Sequence, residues 1–256
     1  MKLILFDVDG TLTPARKQIE PEMLTTLEQL TLNDNIHVGF VGGSNLEKQI
    51  EQLRESNFHL FHWRFSENGL LAFKEGECIH KESFVNVLTD VHFKQFINIC
   101  LRILSELECP VKRGTFIEFR EGMLNISPIG RACNQVEREQ FELYDNEHKV
   151  RETMITQIQE LWSNYVNVKN LQYLPKLQFS VGGQISVDVF PKGWDKTYCL
   201  KFVEEKYDEI HFFGDKTDKG GNDYEIYCDD RVIGHKVMKY QDTIDILQNM
   251  FINKSN

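Results

Sequence analysis

The sequence has no CxxC pair among its six cysteines, which stand at positions 78, 100, 109, 133, 199 and 228. Cys100 and Cys109 lie in or beside an apolar helical stretch, and all six read as reduced thiols of a cytoplasmic protein. Basic charge is also scarce: 29 Lys and Arg stand against 39 Asp and Glu, a net charge of −10. A nucleic-acid binder would more often carry a basic stripe, and none is visible, so no nucleic-acid partner is expected. If the ligand is an anion, a local cluster of arginines must override the general field. No long apolar run opens the chain. Leu3–Phe6 is too short for a signal peptide or a membrane span and reads as a buried strand, so no membrane association is expected. The histidines are scattered; His59 and His62 are three apart but have no acidic or Cys ligands nearby. No internal repeat or low-complexity stretch appears.

What is present is 256 residues with 41% hydrophobic content, enough for a sizeable core in one large domain or two small ones. The first segment alternates strand and helix: a strand over Lys2–Phe6, a helix from Pro21 to about Leu32, a strand over Ile36–Val41, a helix over Leu46–Arg54 and a strand near Leu60–Ser66. That rhythm implies a parallel sheet. The middle differs. Phe93, Phe96, Ile97, Cys100, Leu101, Leu104 and Leu107 fall at helical spacing. Strands over Phe116–Arg120 and Met123–Ile129 follow without a helix between them. A long helix spans roughly Asn134–Tyr165, the stretch Asn164–Leu177 is loosest, and two further strands cover Gln172–Val181 and Ile185–Phe190. After Pro191 the α/β rhythm returns, with a helix near Asp195, a strand over Glu209–Phe213 and a C-terminal helix near Thr243–Phe251. The expected architecture is an α/β core with a Rossmann-like parallel sheet, residues 1–83 and 190–256, interrupted by an α+β cap domain of antiparallel sheet and helices, 84–189.

Asp7-Val8-Asp9-Gly10-Thr11 follows the first strand directly. In open α/β sheets ligands bind beyond the carboxyl ends of strands. Two carboxylates this close repel unless a cation is present, which points to Mg²⁺ with oxygen ligands. Gly42-Gly43-Ser44 follows the next strand, where a hydroxyl and backbone N–H groups suit phosphate oxygens. Lys196 lies near a helix start, where an ammonium can screen phosphate charge. Asp215, after the strand Glu209–Phe213, would complete the cation site; Asp223 could be a ligand, a supporting partner or a helix cap. Each has an ordinary alternative: a capping Asp, a Ser N-cap, a solvated Lys. Their order, each at a strand end or a helix start, is the stronger signal for phosphoryl transfer.

In the middle segment Ser186 and Asp188 share one strand face while Ile185, Val187 and Val189 share the other. Asn125 and Ser127 alternate with Leu124 and Ile126 in the same way. Arg120 ends a strand, and Arg131 and Arg138 are about two helical turns apart. Arginines bind phosphate through a planar fork of donors, so this polar face suits a sugar phosphate. Taken singly, each Arg could equally be a surface residue.

DVDGT, VGGS, Lys196 and GDKTDKGGND resemble the four motifs of haloacid-dehalogenase-type phosphotransferases. Asp7–Arg16, Ser66–Gly69, Phe116–Arg131, Gly182–Pro191, Gly193–Lys196 and Phe212–Ile226 further resemble the eukaryotic-type phosphomannomutases. Asn45 departs from the family's Asp and Lys192 from its acidic residue, neither at a catalytic position. The resemblance implies Asp7 as nucleophile, Asp9 as acid and base, and Ser44 and Lys196 as holders of the transferring phosphoryl group. It implies Mg²⁺ on Asp7, the Asp9 carbonyl and Asp215, and a second, structural cation at the Tyr227 carbonyl, Asp229 and the Val232 carbonyl. Arg16, Arg120, Arg131, Arg138, Ser186 and Asp188 would hold the sugar and its other phosphate. The implied reaction converts mannose 6-phosphate and mannose 1-phosphate through a hexose 1,6-bisphosphate, which also serves as activator, and feeds GDP-mannose synthesis. The family suggests a homodimer through the cap. Two other functions compete: a sugar-phosphate phosphatase on the same core, and a binding protein without catalysis, which the intact Asp7, Asp9 and Asp215 disfavour.

Overall fold

A computed structural model describes residues 1–253. The chain begins with β1 (Lys2–Phe6), α1 (Pro21–Thr31), β2 (Ile36–Val41), α2 (Leu46–Leu53) and β3 (Trp63–Ser66). A hairpin follows, β4 (Leu71–Lys74) and β5 (Glu77–Lys81). Next come α3 (Phe84–Glu106), β6 (Ile117–Arg120), β7 (Met123–Ile126), α4 (Gln135–His148), α5 (Val150–Val168), β8 (Leu177–Gly182) and β9 (Ser186–Pro191). The chain then runs through β10 (Glu209–Gly214), α6 (Tyr224–Tyr227), β11 (Ile233–Lys236) and α7 (Tyr240–Leu247). Two compact units result: Met1–Lys81 with the chain from Gly193 onward, and Glu82–Lys192.

The first unit is built on a seven-stranded sheet in the order β11-β10-β1-β2-β3-β4-β5. Its first five strands are parallel and the last two antiparallel. Central parallel strands are covered on both faces and so read as unbroken apolar runs. Leu3, Ile4, Leu5 and Phe6 of β1 are fully buried. Ile4 and Phe6 join a core with Met23, Leu27, Ile244 and Leu247 of α1 and α7. Leu3 and Leu5 turn the other way, to Cys199, Leu200, Val203 and Ile226. The β4–β5 hairpin is not anticipated by the alternating rhythm. Its two turn residues, Glu75 (φ 49°) and Gly76 (φ 91°), have the left-handed backbone that tight hairpins require. The strand expected near Leu60–Ser66 begins only at Trp63, because Glu55–Leu60 forms a 3₁₀ turn.

The second unit is a four-stranded antiparallel sheet in the order β6-β7-β9-β8. Leu124, Ile126, Val187 and Val189 are fully buried. α5 packs on α3 and on β9, and Phe96 meets Trp162 edge-on at 5.2 Å between ring centres. Of the anticipated apolar face, Phe96, Cys100 and Leu104 are buried, Phe93, Ile97 and Leu107 are half-buried and Leu101 is exposed; Ile99 and Ile103 share the inner side. The single long helix expected over Asn134–Tyr165 is two helices. Lys149 breaks it in the left-handed region (φ 55°), and the Asp145 carboxylate caps the next helix by accepting the Arg151 N–H at 2.8 Å. No Gly or Pro marks that break. The segment expected to be loosest is partly α5, which runs to Val168, and β8 starts only at Leu177. All six cysteines are free. Among the described residues no helix is long and apolar enough to cross a membrane.

Candidate active site

In the first unit, β1 and β10 are adjacent and parallel, so the residues that follow them emerge side by side. Asp7 leaves β1 with its N–H on the Phe213 carbonyl at 2.9 Å, and Asp215 leaves β10. Carboxylate oxygens of Asp7, Asp215 and Asp223 all lie within 4.8 Å of one another. Gly10 makes this approach possible. It has φ +92°, and a Cβ there would stand 2.6 Å from Asp215 Oδ2. Lys196 begins a 3₁₀ turn, Lys196–Phe202, capped by Asp195, whose carboxylate accepts the Thr197 N–H at 2.9 Å. The Lys196 ammonium, 1% exposed, donates to both Asp7 and Asp223. The other Asp223 oxygen takes the Lys216 N–H at 3.0 Å. Asp223 therefore holds Lys196 and the loop, with both oxygens engaged, and does not cap a helix through its side chain.

These contacts set the charge states. Burial pushes the Asp7 carboxyl up to about 6; Lys196 opposes this, while Asp223 and Asp215 add repulsion. Burial alone would lower Lys196, but Asp7 and Asp223 outweigh it and hold the ammonium above its ordinary value. Burial also raises Asp215.

Asp9 stands beside this group. Its Oδ1 accepts the Arg16 backbone N–H and, at 3.1 Å, Gln52 Nε2. The Arg16 side chain is exposed and belongs to the first unit. Asp7, Asp9, Ser44, Gln52 and Lys216 line a cavity of about 230 Å³. Ser44 does not cap α2. Asn45 does, accepting the Lys48 N–H at 3.2 Å, so the departure from Asp at this position keeps a cap of equal quality. Gln49 and Gln52 are buried on the inner face of α2, where Gln49 accepts from Ser66 Oγ at 2.5 Å. Neither glutamine was picked out from the sequence. Their signal is a polar interruption at i and i+3 on the face that carries Leu53.

The second unit gathers the other expected residues. Glu118, Asn125, Asp188 and Ser180 are paired across the four strands in one row. Asn125 Nδ2 donates to Asp188 at 2.6 Å and to Ser186 at 3.0 Å, and its oxygen accepts Arg131 Nη1 at 2.7 Å. Glu118 pairs with Arg120 at 2.8 Å and with Arg131 at 2.6 Å. Arg138 Nη2 donates to the Arg131 carbonyl at 3.0 Å. Five of the expected contact residues thus lie in one network, joined by Glu118 and Asn125. Sequence alternation placed Asn125 on the polar face but not at its centre. Glu118 carries no sequence signal of this kind, since a lone carboxylate two residues before an arginine is common on exposed strands.

Residues 23–253 match the family model for eukaryotic phosphomannomutase. The phosphomannomutase of Nicotiana benthamiana is 50% identical over 254 residues, covering 99% of this chain and 96% of that protein. That of Schizosaccharomyces pombe is 51% identical over 253 residues, covering 97% and 94%. The chain belongs to the eukaryotic phosphomannomutase family. Among solved structures, trehalose-6-phosphate phosphatase of Aspergillus fumigatus is 15% identical, covers 99% of this chain and 93% of its own, and has a TM-score of 0.62. The IMP-bound nucleotidase of Plasmodium falciparum is 16% identical, covers 97% and 67%, and has a TM-score of 0.58. At this identity the likenesses show a shared fold alone.

The family implies a divalent cation, and the residues of the first unit fit one. Three carboxylates face one lysine, Asp215 Oδ1 is buried without a hydrogen-bond partner among the described residues, and the Asp7 carboxyl is raised. All three observations mark a shortage of positive charge among hard oxygen donors. The residues named for a second cation are placed differently. Asp229 does not join this group; its carboxylate takes Nε and Nη2 of Arg231, each at 2.8 Å. Tyr227 ends α6, and the Val232 N–H donates to the Asp229 carbonyl at 3.0 Å.

Proposed function

We propose that the chain is a phosphomannomutase interconverting mannose 6-phosphate and mannose 1-phosphate. The observation that carries this is the Asp7 carboxylate at the cavity, buried and paired to Lys196, in a chain about half identical to curated phosphomannomutases over nearly its whole length.

Asp7 attacks a sugar phosphate at phosphorus. A bond forms from its carboxylate oxygen, and the phosphorus–oxygen bond to the sugar breaks. Asp9 delivers a proton to the departing sugar oxygen, and in the reverse direction takes one from the attacking hydroxyl. The two donors on Asp9 Oδ1 hold that carboxylate in place. A cycle starting from phosphorylated Asp7 moves the phosphoryl group to O1 of mannose 6-phosphate. The resulting 1,6-bisphosphate then returns its other phosphoryl group to Asp7. Ser44 and Lys196 grip the transferring group. A Mg²⁺ held by Asp7, the Asp9 carbonyl and Asp215 would supply charge neutralisation at its oxygens. Arg16, Arg120, Arg131, Arg138, Ser186 and Asp188 are assigned to the sugar and its non-reacting phosphate. A second cation at Tyr227, Asp229 and Val232, a homodimer through the second unit, a cytoplasmic location and supply of GDP-mannose synthesis belong to the same proposal and rest on the family alone.

A sugar-phosphate phosphatase is the second reading, supported by the fold shared with a known phosphatase. A coupled assay on mannose 1-phosphate, with and without glucose 1,6-bisphosphate, separates the two. The mutase requires a catalytic amount of bisphosphate and releases little free phosphate. Phosphate release at a rate comparable to isomerisation would refute it.

A further inference from the structure

Glu118 lies on β6 two residues before Arg120, so both project from the same face of the strand. Its Oε1 meets Arg120 Nε and Nη2, each at 2.8 Å, and its Oε2 meets Arg131 Nε at 2.6 Å. Arg131 is held a second time, by Asn125. Arg120 is not: among the described residues Glu118 is the one group that engages its guanidinium. Glu118 is also the one described residue that joins the two arginines.

Stability does not account for this arrangement. Arg120 and Glu118 side chains are 42% and 34% exposed, and exposed pairs contribute little to folding. Two guanidiniums near each other repel, and long arginine side chains lose rotamer freedom when a ligand orders them. A carboxylate between them offsets both costs before any ligand arrives. It takes Nε and Nη2 of Arg120 and Nε of Arg131, and leaves Arg120 Nη1 and Arg131 Nη2 without a partner among the described residues. An anion with several oxygens can then be met by two donors whose directions are already set.

We propose that Glu118 is the positioning residue of the phosphosugar site in the second unit, coupling Arg120 to Arg131 so that they receive a sugar phosphate as one unit. This inference rests on the proposed mutase activity for the identity of the ligand, mannose 1-phosphate. Glu118 acts through the two arginines and is assigned no contact with the ligand.

The test is calorimetric titration of the full chain with mannose 1-phosphate in magnesium buffer. Glu118→Gln should weaken binding about tenfold, with the kinetic loss falling on KM more than on kcat. Glu118→Asp keeps the charge but is one methylene too short to reach both guanidiniums, and should weaken binding comparably. Arg120→Ala should cost several-fold in the unsubstituted protein and less than twofold once Glu118→Gln is present, because Arg120 is then already unplaced. A role confined to folding would not produce that non-additivity, and melting temperatures check that each variant is folded. An unchanged Kd in both Glu118 variants, or strictly additive losses, would overturn the proposal. So would tighter binding in Glu118→Gln, which would make Glu118 a mere competitor of phosphate. Wild-type protein that binds mannose 1-phosphate but does not isomerise it would overturn the mutase activity alone. Failure to bind it would overturn both.

Discussion

Lys196 joins Asp7 to Asp223 by hydrogen bonds from one ammonium, and all three side chains are nearly or wholly excluded from solvent. Lysine is almost never buried this deeply unless paired. In the proposed mechanism the pairing has a chemical use: an ammonium fixed against Asp7 is also fixed against the phosphoryl group that Asp7 would receive.

Removing that ammonium should be costly twice. Lys196→Met leaves two buried carboxylates uncompensated, and breaking a buried pair in this way costs about 3–5 kcal/mol. Urea unfolding should show a loss of that order, and turnover should fall at least about a hundredfold. A variant within about 1 kcal/mol of wild type would show that the pair is not formed.

Asp7 makes stability depend on pH and on metal. Its carboxyl is held near 6 in the folded chain against 3.8 ordinarily, with burial the main cause. The folded state therefore binds this proton more tightly, and stability from this group falls as pH rises from about 4 to 6. The full cost, about 3 kcal/mol, is present above that range. In EDTA, Asp7→Asn should be more stable than wild type at pH 7.5 and lose that advantage near pH 4. Mg²⁺ should raise the wild-type melting temperature at pH 7.5, through binding to the native state alone. Equal Mg²⁺ stabilisation of Asp7→Asn/Asp215→Asn would refute the cation site. A chelator should also abolish turnover.

Gly10→Ala tests the approach of the two strand ends. The new methyl would meet Asp215 Oδ2 at 2.6 Å on a backbone at φ +92°. A left-handed alanine costs about 1–2 kcal/mol before the collision is counted. Turnover should drop by more than tenfold, with Asp215 displaced. Unimpaired activity would mean that the Asp7–Asp215 spacing is not critical.

His211 and His235 form a second pH-dependent element, apart from Asp7, Asp215 and Asp223 but with His211 Nε2 3.2 Å from Glu209 Oε2. They stack with Nδ1 of His211 and Nε2 of His235 2.9 Å apart. Burial and then His211 hold His235 down at about 4. The unfolded chain takes up this proton near 6.5 and the folded chain does not. Stability from this group is therefore complete above 6.5 and is lost as pH falls towards 4. His235→Phe should make the acid-side slope shallower, by roughly 1 kcal/mol at pH 5 after allowing for partial solvation. Denaturant midpoints at pH 5 and 7 give the comparison, and parallel slopes would exclude the pair as the source.

Arg131→Ala removes a side chain that both Glu118 and Asn125 hold. KM for mannose 1-phosphate should rise strongly, about tenfold or more. An unaffected KM would remove Arg131 from the phosphosugar site.

Much of the first site was legible because its signals are local. A run of four apolar residues followed by Asp-Val-Asp-Gly places carboxylates at a strand end whatever the rest of the chain does. The strand bounds of β1 and β2 follow from the same unbroken apolar runs. The α4–α5 break was illegible for the opposite reason: Lys149 has no intrinsic preference for the left-handed backbone. The break is supported by Asp145 and Arg151, whose pairing at 2.7 Å is made in the folded unit.

The sequence by itself determined which residue types stand at strand ends and on strand faces, and so that Asp7, Asp9, Asp215 and the cap arginines were candidates. Periodicity and turn chemistry act over a few residues and need no distant partner. Only the tertiary structure decided how those candidates are charged and coupled. Asp223 holds Lys196 through the parallel pairing of β1 and β10 and the loop after β10. Glu118 links two arginines because β6 and β7 are paired in one register and Arg131 returns to them. Such contacts depend on strand order and burial, which no single stretch of the chain encodes.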